Sequence, residues 1–212
     1  WDRRNSGAFS SGEQATGNPY AATPIETCCT VAWMALTIDY LKLTGDPCAA
    51  DDLELALLNG GLGAQHPSGR WWTYNTPMDG VREASAHSIV FQARAGTPEL
   101  NCCSVNGPRV LGSLVDWAIM SAPDGLVVNS YLPGSITTAY AGQEVRFVAD
   151  RDYPASDSQR LRIARNHAGE WTLRLRIPSW SASTRVEANF KGAPSTAPAG
   201  SYLQIRRRWK TG

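Results

Sequence analysis

The spacing of apolar residues changes near residue 125 of this chain. Before that point it follows a helical period; after it, apolar and polar positions alternate as in strands. Residues 28–43, CCTVAWMALTIDYLKL, are apolar almost all round, which predicts a buried helix rather than a surface one. Thr27 is placed to cap its start and Gly45 to end it. Asp46-Pro47 reads as the cap and first residue of a second helix, which runs to about Leu58 and stops at Asn59-Gly60-Gly61. A third helix is expected from about Gly107 to Met120, with Asn106 as its cap. Long helices with short links suggest an α/α hairpin array, either a bundle or a toroid. Between the second and third helices lies a loop-rich insert, residues 62–100. It contains Gln65-His66-Pro67, the aromatic run Trp71-Trp72-Thr73-Tyr74-Asn75 and a strand-like stretch from His87 to Gln92. Long loops of this kind more often carry function than idle.

Beyond the change of period, strands are predicted over 126–132, 136–140, 144–149, 171–177, 184–189 and 201–206. Pro, Gly and Ser clusters such as 192–200 separate them, a spacing that suggests an antiparallel β-sandwich. The expected fold class is therefore α+β and multidomain, with a helical part over 1–124 and a β part over 125–212. No internal repeat is visible.

Charge and composition narrow the partners. The net charge is +1, and the 20 Lys and Arg are scattered until Arg206-Arg207-Arg208. No basic stripe follows a phosphate backbone, so nucleic acid is not expected as a partner. Neither a signal peptide nor a membrane span is visible, and no membrane partner is expected. The chain opens at Trp1-Asp2 without a Met and closes just after a predicted strand, so it reads as cut at both ends. Cytoplasmic and secreted locations both stay open. The 8 Trp and 7 Tyr exceed what this length needs. Most aromatics fill cores, but a ring face also packs against the C–H face of a sugar. Trp180 and Trp209 are expected in the β core, and of the neighbours Trp71 and Trp72 at least one points inward, because adjacent residues of an extended segment face opposite ways.

Five cysteines set the chemistry. Four fall in two adjacent pairs, Cys28-Cys29 after Glu26-Thr27, and Cys102-Cys103 after Asn101. Neighbouring cysteines bridge each other only with strain, and an odd count does not make a disulfide framework. A carboxylate and three or four thiols suit a four-coordinate zinc ion. Both pairs lie near predicted helix starts, whose free N–H groups favour thiolate over thiol. Spacing leaves two readings open, a structural zinc knot and a site in which one sulfur does chemistry. The absence of CxxC pairs favours the specialised site. Cys48 reads as a small buried hydrophobe. Glu13, in the small-residue loop Ser11-Gly12-Glu13, is a candidate general acid against the alternative of a solvated loop carboxylate. Arg109 is placed either to pair a carboxylate near the site or to lie on a helix surface. His87 reads as a packed histidine and His167 as a turn residue facing solvent.

Taken together, GAFSSGEQATGNPY, IETCCTVAW, LKLTGD, WWTYNTPMDG, ELNCCSVNGPR, LRIPSW and RRWKTG resemble glycoside hydrolase family 127, the β-L-arabinofuranosidase-type enzymes, in order and over nearly the whole chain. The resemblance implies the last part of an (α/α)6 catalytic barrel over 1–124 and part of the following β-sandwich over 125–212. It implies a zinc ion held by Glu26, Cys28, Cys102 and Cys103, with Cys102 as nucleophile and Glu13 as acid/base of a retaining hydrolysis. Tyr74 matches a sugar-contacting tyrosine, and His66, Gln65 and Trp72 are the accompanying candidates for substrate contact. Cys29 has no assigned role. The implied partners are an arabinofuranoside-containing carbohydrate and, as an expectation the residues do not themselves argue, a second copy of the chain in a homodimer. Two rival readings are a non-catalytic zinc-stapled domain that binds carbohydrate or protein, and a thiol redox protein. The second is disfavoured by the lack of CxxC and of a βαβ pattern.

Overall fold

A computed structural model describes residues 3–9, 17–20, 25–74, 102–150, 152–166 and 168–211. These divide into two compact units, one formed by residues of 1–45 and 51–114, the other by residues of 46–50 and 115–212.

The first unit is built on α1 (Thr27–Thr44). Its buried positions, Thr27, Thr30, Val31, Met34, Thr37, Ile38 and Leu41, form one stripe at helical spacing. The expectation of an all-round buried helix is corrected here, because Leu36, Tyr40 and Leu43 on the opposite side are exposed. Gly45 ends the helix in the left-handed conformation and donates its N–H to Leu41. The N-cap is Glu26 rather than Thr27, which is already inside the helix.

Asp46 caps α2 (Pro47–Leu55) as expected, its carboxylate accepting the Cys48 N–H at 2.9 Å. Asn59-Gly60-Gly61 does not stop the chain's helical path. The path widens into a π turn over Ala56–Gly61 and a short 3₁₀ turn over Leu62–Ala64. The two glycines let that turn press close: a Cβ on Gly60 would lie 2.6 Å from Thr30, and one on Gly61 2.9 Å from Val110. Cys48 is exposed, not buried.

A short helix not expected there, α3 (Cys102–Asn106), precedes the expected third helix, which is itself cut to two four-residue pieces, α4 (Arg109–Gly112) and α5 (Leu114–Trp117). Gly107-Pro108 separates α3 from α4, since proline has no N–H to donate and disfavours helix in the residue before it. Met120 lies in a strand.

The second unit carries β1 (Ile119–Ala122), β2 (Gly125–Val128), β3 (Gly134–Tyr140), β4 (Gln143–Ala149), β5 (Leu161–Arg165), β6 (Glu170–Ile177), β7 (Thr184–Arg185), β8 (Thr196–Ala197) and β9 (Ser201–Arg208). Strand order is β1-β2-β6-β9 in one sheet and β3-β4-β5 in another, with β7-β8 a small ribbon. The expected antiparallel pairing fails at one place. β2 and β6 run parallel, Gly125 opposite Thr172, because the β3–β5 meander intervenes as the crossover that parallel strands require. Alternation is clear in β4, where Val145, Phe147 and Ala149 are buried. Val145, Phe147 and Ile163 of one sheet share a core with Leu126, Val128, Trp171 and Leu173 of the other. Trp209 joins that core, but Trp180 is exposed. The strand-like stretch from His87 to Gln92, and His167, lie outside the described residues.

No described helix is long and apolar enough to cross a membrane.

Candidate metal centre

Three pieces of backbone converge in the first unit: the start of α1, the start of α3 and the extended segment Trp72–Tyr74. The last acts as a strap. The Thr27 N–H donates to the Tyr74 carbonyl at 3.1 Å, and the Thr27 hydroxyl to the Thr73 carbonyl at 2.8 Å. From the other side the Ser104 hydroxyl donates to the Trp72 carbonyl at 2.8 Å. The strap therefore ties the turn carrying Glu26 and Cys28 to the turn carrying Cys102 and Cys103. Thr27 serves as this tie rather than as a cap.

The tie brings together the four residues that the sequence singles out. The ligand atoms of Glu26, Cys28, Cys102 and Cys103 all lie within 4.8 Å of one another. The Cys28 sulfur is 3.2 Å from that of Cys103 and 3.5 Å from that of Cys102, and the last two are 3.9 Å apart. The five cysteines form no disulfide with one another. With metal–sulfur bonds of about 2.3 Å, the edge of a tetrahedral zinc site is about 3.8 Å, so these separations fit sulfurs around one metal. Glu26 is buried, and its side chain makes no capping bond to α1. Cys103 is fully buried and packs with Tyr74, while Cys28 and Cys102 are half-buried against the same pair.

As thiols, the three sulfurs share their protons unevenly. Cys28 is lowered to about 7, first because it accepts a hydrogen bond from Cys103 and with smaller help from Cys102 and Asn106. Cys103 is pushed upward, first by being the donor of that bond and then by burial. Burial is the first cause raising Cys102 to about 11. Of the three thiols, Cys28 is therefore the one that gives up its proton most readily. A metal ion is what would make all three sulfurs thiolate together, since a coordinating thiol is deprotonated outright.

The other predicted residues are placed less uniformly. Tyr74 lies against the sulfur cluster and is buried. Trp72 is buried, with its indole N–H donating to the Gly61 carbonyl at 3.2 Å. His66 is half-buried, stacked on Trp71 at 4.3 Å, with Nδ1 2.8 Å from the Ser68 hydroxyl. Gln65 reaches the Gly69 carbonyl at 3.5 Å. Glu13 lies outside the described residues. Arg109 bonds the side chain of Asn106 at 3.3 Å, and Asn106 in turn faces Cys28. Asn106 reads in sequence only as a helix cap. Its true signal is its spacing of four and three residues from Cys102 and Cys103, which on a helix puts it on their face.

Two family models match. The β-L-arabinofuranosidase GH127 catalytic domain covers residues 6–116, and the GH127 middle domain covers residues 125–212. No curated protein matches the chain. Among solved structures, a GH127 β-L-arabinofuranosidase from Geobacillus stearothermophilus T6 is similar at 26% identity and TM-score 0.73, over 100% of this chain and 35% of that one. A GH127 β-arabinofuranosidase is similar at 23% identity and TM-score 0.75, again over 100% and 35%. A third structure, described as a glycoside hydrolase, matches at 20% identity and TM-score 0.69, over 99% of this chain and 39% of that one. The chain thus spans little more than a third of the length of these relatives.

Proposed function

The chain belongs to glycoside hydrolase family 127, and from that membership we propose that the protein is a retaining glycosidase that removes terminal β-L-arabinofuranosyl or related furanosyl residues. In this reading residues 1–124 form the last part of an (α/α)6 catalytic barrel and residues 125–212 the beginning of a β-sandwich domain. The substrate is an arabinofuranoside-containing carbohydrate. The observation that carries the reading is the convergence of one carboxylate and three sulfurs within 4.8 Å, beside Tyr74.

Glu26, Cys28, Cys102 and Cys103 would hold a zinc ion. When bound, zinc keeps sulfur deprotonated at neutral pH and makes thiolate a better leaving group. The chain's own groups do the rest. The Cys102 sulfur attacks the anomeric carbon, and the C–S bond forms as the glycosidic C–O bond breaks. The Glu13 carboxyl gives its proton to the departing oxygen. Water then loses a proton to the Glu13 carboxylate and attacks the same carbon, and the C–S bond breaks to restore the sulfur. Most retaining glycosidases use a carboxylate as nucleophile. Sulfur attacks well but leaves poorly, which is why a thiolate with metal support suits the second step. In this reading Tyr74, buried against the sulfurs, limits water around them and meets the sugar.

Cys102→Ser in the full-length enzyme tests the reading. Turnover should fall below detection while zinc, measured by elemental analysis, stays bound through the other three ligands. Normal turnover would refute the nucleophile, and a protein that never takes up zinc would refute the metal centre. Glu13→Gln should slow substrates with poor leaving groups far more than activated aryl glycosides; equal losses would remove Glu13 from the acid role.

A further inference from the structure

The Cys28 sulfur has a neighbour that this chemistry leaves unused. The side-chain nitrogen of Asn106, Nδ2, lies 3.5 Å from Cys28 Sγ. Its carbonyl oxygen accepts a hydrogen bond from the Arg109 guanidinium at 3.3 Å. A side-chain amide can be turned end for end, and only its partners decide which way it points. Here the partner decides, because a guanidinium only donates. The amide oxygen must face Arg109, and the N–H₂ is left facing the sulfur.

Charge gives that contact a purpose. Three thiolates and one carboxylate carry −4, so with a divalent ion the centre keeps a net −2. Cys103 and Glu26 are buried, so water cannot absorb all of that excess. An amide N–H directed at a thiolate withdraws electron density from it and fixes the direction of its lone pairs. Arg109 places a full positive charge one amide away and polarises the same N–H further. The pair compensates the sulfur that the metal must keep throughout a catalytic cycle.

We propose that Asn106, oriented by Arg109, is a positioning residue that holds Cys28 as a permanent metal ligand. The inference rests on the metal-binding part of the functional reading. It names Cys28 as the anchored sulfur and links it to Asn106 and Arg109, neither of which supplies a ligand atom.

The test uses the full-length protein loaded with zinc, and with cobalt(II) as a spectroscopic substitute. Asn106→Ala should weaken zinc retention in a chelator competition by roughly 10- to 100-fold, the range for losing a partner of a metal ligand. The sulfur-to-cobalt charge-transfer band should move to longer wavelength, because a thiolate without its N–H is easier to oxidise. Asn106→Asp keeps the shape, loses the donor and adds charge, so it should match or exceed Asn106→Ala on both readouts. Arg109→Ala should shift both in the same direction by less, and Arg109→Lys should restore most of the loss. Zinc retention within twofold of wild type and an unmoved band in both Asn106 variants would overturn the inference. Should those variants fail to fold, Arg109→Ala decides, and an unmoved band there overturns it. Wild-type protein that binds neither metal would overturn the metal reading itself and this inference with it, whereas a metal-loaded wild type with indifferent variants overturns this inference alone.

Discussion

Gly107→Ala puts the strap of the metal centre under a measurable load. Gly107 is buried against Trp72, and a Cβ there would lie 2.2 Å from Trp72 Cγ and 2.5 Å from Trp72 Cβ. Ordinary carbon contacts begin near 3.5 Å, so an atom must move by about 1 Å or more. The crowded atoms sit at the root of the Trp72 side chain and cannot swing aside as a side-chain tip would. Trp72 is also held at both ends, by its indole bond to Gly61 and by Ser104 on its carbonyl. Overpacking of this kind costs about 1–3 kcal/mol. For a folded unit of this chain's size each kcal/mol lowers Tm by about 2–4 °C, so the melt should fall by roughly 2–12 °C. Because Ser104 lies on the same short helix as Cys102 and Cys103, the displacement should also loosen zinc in a chelator competition. Gly112→Ala is the matched control: a Cβ there meets nothing within 4 Å, so helix propensity alone should stabilise by about 0.5–1 kcal/mol. A Gly107→Ala protein that melts within 1 °C of wild type and keeps its metal equally well would refute the steric argument and the strap together.

Thr27→Val keeps the volume of a buried side chain and deletes the hydroxyl bond to Thr73. It should cost about 1–3 kcal/mol in a denaturant melt and weaken zinc retention; loss of stability with retention intact would show that the strap does not align the ligands. Thiol titration of the zinc-loaded protein should find Cys48 first, and adding a chelator should release the half-buried Cys28 and Cys102 to the reagent; an equal count before and after would rule out thiolate coordination. In the second unit, Asp124 is held at about 2, first by its hydrogen bonds with Arg174. A carboxylate with a depressed folded-state value stabilises above its ordinary range and loses that effect as pH falls toward the depressed value. The stability gap between wild type and Asp124→Asn should therefore be full at neutral pH and close between about pH 4 and pH 2. A gap constant across that window would mean the pair is not linked to folding.

Much of the candidate metal centre is legible because its parts are local and chemically rare. Glu26 and Cys28 are two residues apart, Cys102 and Cys103 adjacent, and few sites other than metal centres gather such groups. What joins them was not legible. The strap works through main-chain carbonyls of Trp72, Thr73 and Tyr74, and a carbonyl has no side-chain signature. Asn106 and Thr27 both read as helix caps, because Asn and Thr are favoured at that position. The fold shows the same division. Gly45 and Asp46 marked their helix ends correctly, since caps are set within a few residues. The parallel β2–β6 pair depends on a partner strand about fifty residues away in sequence. Leu36, Tyr40 and Leu43 misled for a related reason, since periodicity reports apolarity and not what lies against it.

The sulfurs of the candidate centre are separated in time as well as in sequence. Cys28 and Cys102 stand 74 positions apart, and synthesis at about 5–20 residues per second places roughly 4–15 seconds between their appearance at the ribosome. For that interval the first half of the centre has no partners, and Cys28 must wait as an unprotected thiol beside Cys29. Adjacent cysteines pair with each other only under strain, so the waiting pair resists closing on itself but stays open to outside oxidants. Maturation of the centre should therefore depend on redox conditions during synthesis more steeply than the finished protein does.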